Sequence, residues 1–207
     1  PWCCWPSVFI ATRPIAQTPP ERLPAATTVC DALVAFQRER RPMTCSPDIL
    51  IVGLGAMGSA IESAGGLVDK FIGDGLMALF GVDGAADAGA GAALTAARRM
   101  AEALESVNRE LETELDGPLH MGLGLHLGTV ILGEMGHGRA RSLTAIGDAV
   151  NVASRIEGLT KRLGKPIVFT DTVRANLDAG FDMIDFGEQP IRGHSPMRLW
   201  GFNAVLS

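Results

Sequence analysis

Residues 66–81 read GLVDKFIGDGLMALFG, and this segment is the clearest indication of the fold. Apolar side chains dominate both of its halves, GLVDKFI and LMALFG, and Gly73-Asp74-Gly75 separates them. Glycine and aspartate tolerate the positive φ angles of a tight turn, so the pattern predicts two paired strands, a β-hairpin. The flanking segments must then supply the helices and strands that pack on it.

Helices and further strands alternate on the carboxyl side of this hairpin. Apolar residues three or four apart predict a long helix from Asp87 to Gly117-Pro118 and a second from Asp148 to about Leu163. A glycine-rich and basic loop, HGRARS, precedes the second helix, and a short helix follows Asp171. Strands are predicted over residues 119–127, 129–134, 166–170, 181–186 and 197–202. This order predicts an α+β fold, with helices packed on a largely antiparallel sheet.

The amino-terminal segment differs in composition from the rest of the chain. The first 52 residues contain no glycine and all four cysteines, whereas the other 155 of the 207 residues contain all 25 glycines. The cysteine spacings match neither a zinc site nor an iron-sulfur site. We expect residues 1–54 to be an atypical, partly disordered segment, divergent or read in a shifted frame, before a domain over residues 55–207.

Composition and charge limit the classes of function. A chain of 207 residues, 47% of them hydrophobic, suits one globular domain with a real core. The net charge of -5 argues against a broad nucleic-acid surface, and no apolar run is long enough to indicate a membrane span. We expect a cytoplasmic protein without a nucleic-acid partner or a membrane segment.

One glycine motif suggests a dinucleotide-binding fold. Gly53, Gly55 and Gly58 in ILIVGLGAMG have the Gly-x-Gly-x-x-Gly spacing that places a pyrophosphate at a helix start. That fold also needs a full helix and a second parallel strand, whereas Gly65-Gly66 ends the helix early and a hairpin follows. An NAD-dependent dehydrogenase is therefore an alternative, and small residues at a helix start are the simpler interpretation.

Two longer segments resemble the catalytic domain of class III nucleotidyl cyclases. They are VDKFIGDGLMALFG (68–81) and SLTAIGDAVNVASRIEGLTK (142–161), with GLGLHLGTVILGEMG between them. The resemblance covers residues 55–202. It implies a ferredoxin-like βαββαβ core and a head-to-tail homodimer with shared active sites. It also implies conversion of a nucleoside triphosphate to its 3′,5′-cyclic monophosphate and pyrophosphate.

The resemblance implies a role for four residues at the phosphates and the ribose. Two divalent ions, Mg²⁺ or Mn²⁺, are expected on carboxylates, and Asp74 matches one of the two metal-binding aspartates. Arg155 matches the arginine that stabilises the transition state, and Asn151 matches the asparagine that orients the ribose. Because these two residues are four apart, they share one helix face. Arg192 matches the basic residue that holds the terminal phosphates.

Two further positions bear on the choice of base. Lys70 can donate a hydrogen bond to the adenine ring, and Thr144 can donate or accept one at its edge. This pair resembles the adenylyl branch of the family, whereas guanylyl cyclases tend to have glutamate and cysteine. The resemblance therefore implies ATP as the substrate and an adenylate cyclase as the enzyme.

The chain departs from the family pattern in its amino-terminal part. The family opens with a strand such as LFADIRGFT, whose aspartate is the other metal ligand, and its expected position falls on Cys30. Asp31, one residue on, is the candidate for that ligand, although no Gly-Phe-Thr follows it. The activity of the chain as written depends on this carboxylate. The alternative is a catalytically impaired, cyclase-like module for dimerisation or nucleotide binding.

Overall fold

The computed structural model describes most of the chain from residue 47 onward and three short segments before it. The described backbone covers residues 7–11, 13–14, 27–35, 47–72, 75–82, 86–113, 117–137, 140–177 and 181–202. Side chains are described within these ranges from residue 55 onward, except at 86–87, 134–137 and 140–143.

Helices and strands follow one another in an α+β order. The strands are β1 (Ser7–Ala11), β2 (Arg13–Pro14), β3 (Thr27–Ala35), β4 (Leu67–Ile72), β5 (Gly75–Leu79), β6 (Gly122–Leu125), β7 (Leu127–His137), β8 (Ala140–Ile146), β9 (Ile167–Thr170), β10 (Met183–Gln189) and β11 (Met197–Phe202). The helices are α1 (Pro47–Ser63), α2 (Ala86–Glu110), α3 (Asp148–Glu157), α4 (Thr160–Leu163) and α5 (Asp171–Arg174). The predicted hairpin forms, because Ile72 pairs with Gly75 and Lys70 with Met77 in antiparallel register.

All the described strands belong to one mixed sheet. Its order is β10-β11-β9-β6-β1-β5-β3-β7-β8, with β4 also paired to β5 and β2 to β3. Most neighbours are antiparallel, while β1 runs parallel to β5 and β6, and β6 to β9. The predicted α+β class and antiparallel-rich sheet are confirmed.

The core lies between the sheet and the helices. Leu94, Ala97, Met100 and Val107 form the predicted apolar stripe of α2 and are buried, as are Phe80 of the hairpin and Phe169 of β9. Burying one side chain of this size stabilises the folded chain by about 1.5–3 kcal/mol relative to leaving it in water. Among the described residues, no helix combines the length and apolar character required of a membrane span.

Several predicted boundaries differ from the structure. The HGRARS segment was expected to be a loop, but residues 140–142 belong to β8, which pairs with β7. The helix expected to reach Gly117 ends at Glu110, because the Asn108 side chain bonds the backbone N–H and C=O of Leu119 at 2.6 and 2.9 Å. That pair of bonds turns the chain back toward the sheet.

The predicted helix starts are also shifted. Asp87 and Asp148 were expected to cap their helices, but α2 begins at Ala86 and Asp148 is the first residue of α3, after Gly147. The helix expected to run to Leu163 divides into α3 and α4, because the Thr160 hydroxyl donates to the Glu157 carbonyl at 2.7 Å and ends the first helix there.

Candidate active site

Lys70 and Thr144 lie on strands that contact each other, β4 and β8. Between them stands the carboxylate of Asp69, whose Oδ2 is 3.2 Å from Lys70 Nζ and which also faces the Thr144 side chain. Thr144 is buried, and the Lys70 side chain is 38% exposed. The structure therefore brings together the two residues that the sequence assigned to the base.

A β-bulge at Asp69 produces this arrangement. Val68 pairs with Ala78 and Lys70 with Met77, so Asp69 has no partner on β5. In a regular strand, adjacent side chains point to opposite faces, whereas an extra residue changes the direction of the side chains beside it. The bulge allows Asp69 to reach Lys70 although the two are neighbours in sequence.

The Asp69 carboxylate is buried, and its oxygens lack hydrogen-bond partners among the described residues. Its side chain is 1% exposed. Burial raises the pKa of Asp69 above its usual range, while the Lys70 ammonium, the Ala145 amide and the Thr144 hydroxyl act to lower it. Neither Asp69 oxygen, nor Thr144 Oγ1, completes a hydrogen bond with any residue that the structure describes. Such buried, unpaired atoms are rare in folded proteins and need an explanation.

Helix α3 presents Asn151 and Arg155 on one face. Its opposite face buries Ala149, Val152 and Ile156 against the sheet. Asn151 is exposed and Arg155 half-buried. The predicted shared face is therefore present, and it is the polar side of an amphipathic helix.

Close packing fixes the position of α3 on β6. A Cβ at Gly124 would lie 2.4 Å from the backbone nitrogen of Glu157 and 2.5 Å from the carbonyl oxygen of Ala153. Only glycine permits this approach without moving backbone. Gly124 thus fixes the position of the helix that carries Asn151 and Arg155.

The Arg155 guanidinium lies beside the loop between β10 and β11. A Cβ at Gly193 would be 3.6 Å from Arg155 Nη1, and Gly193 has a φ of +78°. Arg192 precedes this glycine and is exposed. The structure therefore places the Arg192 loop next to Arg155.

The same loop is tied to the start of α3. His194 Nε2 lies 3.3 Å from Asp148 Oδ1, and the His194 amide donates to the Ile191 carbonyl at 3.0 Å. The His194 side chain is 17% exposed and that of Asp148 is 70% exposed. Nothing in the spacing of the sequence had singled out this pair.

His126 is a structural histidine at the junction of β6 and β7. Its Nδ1 is 3.1 Å from the Thr170 hydroxyl. Burial lowers the pKa of His126 to about 4, the Asp148 carboxylate raises it, and His194 lowers it further. His126 is therefore neutral at physiological pH.

Comparison with known proteins identifies the family. A family model described as the adenylate and guanylate cyclase catalytic domain matches residues 40–204. The chain belongs to this family. An adenylate cyclase of Anabaena cylindrica is 48% identical over 128 residues, which are 60% of this chain and 24% of that protein. The family match confirms the predicted cyclase family.

Solved structures agree with the cyclase fold. A bacterial light-regulated adenylyl cyclase is 30% identical, with a TM-score of 0.65 over 75% of this chain and 44% of that chain. The guanylyl cyclase Cya2 is 27% identical, with a TM-score of 0.65 over 77% of this chain and 82% of that chain. The cyclase domain described here spans about a quarter or less of the curated relatives it matches, at 24%, 8% and 18% of three of them.

Of the two predicted metal residues, the structure describes only the backbone of Asp31. Asp74 lies outside the described residues, next to Gly75, which begins β5. Asp31 is two residues before Leu33, and Leu33 pairs with Leu79 at the far end of β5. Measured along the strand direction at about 3.3 Å per residue, Asp31 lies roughly 20 Å from Gly75.

Carboxylate donors suit a hard divalent cation, but the described residues do not complete such a site. Among the described side chains, no three His, Cys, Asp or Glu residues group closely enough to hold a metal. Strand β1, SVFIA, lies between β5 and β6 and has no acidic residue. Asp31 and Asp74 stay predicted metal ligands, and the described register places Asp31 near the end of β5 that is opposite to Gly75.

The dinucleotide-binding alternative is not favoured. Gly53, Gly55 and Gly58 all lie inside α1, which begins at Pro47. The phosphate-binding motif requires these glycines in a turn between a strand and a helix. The apolar run ILIV, which such a motif would need as a strand, is helical.

Asp69 and the pair Asp148–His194 are the polar groups that sequence patterns missed. A strand is expected to alternate its side chains, which would have separated Asp69 from Lys70. His194 lies far from Asp148 along the chain, so only the folded chain reveals the contact. The carboxylate next to Lys70 was the one available signal.

Proposed function

We propose that this chain is an adenylate cyclase domain that converts ATP to 3′,5′-cyclic AMP and pyrophosphate. The observation that carries the proposal is the approach of Lys70 and Thr144 on β4 and β8, with Asn151 and Arg155 on one face of α3. A lysine donates to a ring nitrogen of the base, and a hydroxyl accepts from its amino group. The cytoplasmic location remains a prediction.

The proposed residues serve the chemistry of an intramolecular phosphoryl transfer. The O3′–Pα bond forms, the bond between Pα and the bridging oxygen of pyrophosphate breaks, and the hydroxyl proton is released to water. Negative charge increases on the phosphoryl oxygens and on the leaving group, so fixed cations lower the barrier. Arg155 is proposed to contact the α-phosphoryl group and Arg192 the terminal phosphates, while Asn151 orients the ribose.

Two Mg²⁺ or Mn²⁺ ions are part of the proposal, with Asp74 as one ligand. When bound, such ions lower the pKa of the attacking hydroxyl and neutralise the triphosphate. Asp31 was the sequence candidate for the second carboxylate, and the strand register argues against it. The chain as written is therefore proposed to react slowly.

A head-to-tail homodimer is proposed as the active unit. Phe71 and Ile72 on β4 and Ile146 on β8 are 56%, 50% and 45% exposed, and they flank Lys70 and Thr144. Large apolar side chains exposed beside a polar site are typical of a surface that another chain covers. The sites would then be shared, with Asp74 on one subunit and Lys70, Thr144, Asn151 and Arg155 on the other.

The experiment for the proposed base choice compares ATP with GTP. The chain is expected to bind and convert ATP in preference to GTP, and Lys70→Glu with Thr144→Cys is expected to lower that preference by about tenfold to over a hundredfold. An unchanged ATP/GTP ratio in the folded double variant would refute the assignment of these two residues.

A second candidate is a cyclase-like module that binds ATP without converting it. The observation that favours it is that the described strand register places Asp31 far from Gly75, while β1 carries no acidic residue. Such a module would bind ATP analogues in the presence of Mn²⁺ and would form no cyclic AMP, even at enzyme concentrations above that of the substrate.

A further inference from the structure

The bulge on β4 places three buried polar atoms against one another. They are Oδ1 and Oδ2 of Asp69 and Oγ1 of Thr144, and none of them completes a hydrogen bond with a described residue. The Asp69 side chain is 1% exposed and Thr144 7%. Water has little access to these atoms in the single chain, and the other groups near Asp69 are the Lys70 ammonium, 3.2 Å away, and the Ala145 amide.

The donors and acceptors of this cluster are unequal in number. An ionised carboxylate only accepts hydrogen bonds, and a threonine hydroxyl has one hydrogen and two lone pairs. If the hydroxyl hydrogen points at Asp69, the free side of Thr144 Oγ1 can only accept. The Thr144 hydroxyl is near enough to the Asp69 carboxylate to lower its pKa, and rotation of the Thr144 side chain can direct the hydroxyl hydrogen at it.

We propose that Asp69 is a specificity-determining residue: it takes the hydroxyl hydrogen of Thr144 and thereby makes Thr144 an acceptor for the amino group of adenine. This inference rests on the proposed function, in which Lys70 and Thr144 contact the base. Asp69 does not touch the base itself. It is a positioning residue that acts through Thr144 and also restrains the Lys70 ammonium.

The resulting pattern discriminates between the two purines. Adenine carries an amino group, a donor, where guanine carries O6, an acceptor. A Thr144 oxygen that can only accept pairs with adenine and leaves guanine O6 facing another acceptor. A threonine without this neighbour could rotate its hydrogen toward guanine O6, and it would then discriminate less between adenine and guanine.

The test replaces Asp69 by asparagine, which keeps the shape of the side chain. The asparagine amide can donate to Thr144, which frees the hydroxyl hydrogen for guanine. Binding of 3′-deoxy-ATP and 3′-deoxy-GTP, which cannot cyclise, is measured by calorimetry with Mn²⁺. We expect Asp69→Asn to lower the ATP/GTP affinity ratio by about tenfold or more, since a mismatched buried hydrogen bond has this effect.

Two further variants separate this role from a structural one. In a Thr144→Val background, Asp69→Asn is expected to leave the ratio unchanged, because the group through which Asp69 acts is gone. The double variant Asp69→Asn with Thr144→Asp is expected to regain the preference for ATP, because a carboxylate accepts without needing orientation. Asp185→Asn, which alters an exposed aspartate paired with Arg198, is the matched control and should keep the wild-type ratio.

The outcomes distinguish this inference from the proposed function. A wild-type chain that binds neither nucleotide would overturn both. A wild-type chain that prefers ATP, with the same preference in Asp69→Asn, would overturn the role of Asp69 alone. If Asp69→Asn does not fold, Asp69→Ala must still lower the ratio, and an unchanged ratio there would equally contradict the inference.

Discussion

His194 Nε2 lies 3.3 Å from Asp148 Oδ1, and this contact joins the loop that carries Arg192 to the first residue of α3. The loop also lies against the Arg155 guanidinium at Gly193. Both proposed phosphate-binding arginines therefore depend on one junction between α3 and the β10–β11 hairpin.

Loosening this junction should weaken the binding of phosphates. Asp148→Asn removes the charge that faces His194 and frees the loop, so the dissociation constant for ATP is expected to rise several-fold. Binding of AMP, which lacks the terminal phosphates, should change little. Calorimetry of both nucleotides checks this, with the exposed Glu188→Gln on the same hairpin as control. Equal losses for ATP and AMP would argue for general unfolding of the site instead.

The proposed shared site predicts complementation between inactive subunits. Asp74→Ala and Arg155→Ala should each be inactive as homodimers, because every site lacks one essential group. Mixing them should restore up to one intact site per heterodimer. Two affinity tags purify the mixed dimer before cyclic AMP is measured. Full activity in a monomer, or no recovery in the verified heterodimer, contradicts the head-to-tail arrangement.

Burial of neutral His126 predicts a loss of stability in mild acid. The pKa of His126 is about 4 in the folded chain and about 6.5 for an ordinary histidine, so between these values the unfolded chain binds more protons. Stability is then fully present above pH 6.5 and falls as the pH approaches 4, by up to roughly 3 kcal/mol.

Urea unfolding of the wild type and of His126→Gln between pH 4 and 7.5 checks this prediction. The raised pKa of Asp69 has the opposite effect on stability near pH 4. Because Asp69 is present in both proteins, the quantity to compare is the difference between their free energies of unfolding. The wild type should lose its stability more steeply below pH 6.5. Parallel curves for the two proteins would be inconsistent with a neutral, buried His126.

Gly124 should resist substitution, unlike Gly58 of α1. A Cβ at Gly124 would collide with the backbone of α3, so Gly124→Ala is expected to cost roughly 1–3 kcal/mol and to displace Arg155. Gly58→Ala is the matched control, because nothing lies within 4 Å of its Cβ position and alanine favours helix by about 0.5–1 kcal/mol. Chemical denaturation should therefore show opposite signs for the two variants, and equal effects would contradict the packing of α3.

Local patterns predicted the elements that depend on neighbouring residues. The β4–β5 hairpin follows from the glycines that separate two apolar runs. The polar face of α3 follows from the four-residue separation of Asn151 and Arg155. The bulge at Asp69 could not be predicted, because it depends on how β4 pairs with β5 rather than on β4 alone. Strand β8 was missed because glycine and arginine are typical of loops, whereas its pairing with β7 is decided by the folded sheet.

The weakest part of the predicted site was the metal centre, for a similar reason. Counting residues identified Asp31, but the distance between two carboxylates depends on strand register over the whole sheet. In that register Asp31 lies level with the end of β5, while Gly75 marks its beginning. The division into residues 1–54 and 55–207 stays a prediction, and α1, from Pro47 to Ser63, crosses that boundary.

The most direct test of the proposed activity is a single-turnover assay with enzyme in excess over α-labelled ATP or GTP and with Mn²⁺ present. We expect slow formation of cyclic AMP and pyrophosphate and far less cyclic GMP. We also expect no product with Arg155→Ala and no change with Asp31→Ala. Replacing residues 27–54 by a family-like LFADIRGFT strand and helix should raise the rate by orders of magnitude. Absence of cyclic AMP from both the chain and the grafted protein, or equal product with Arg155→Ala, would contradict the account.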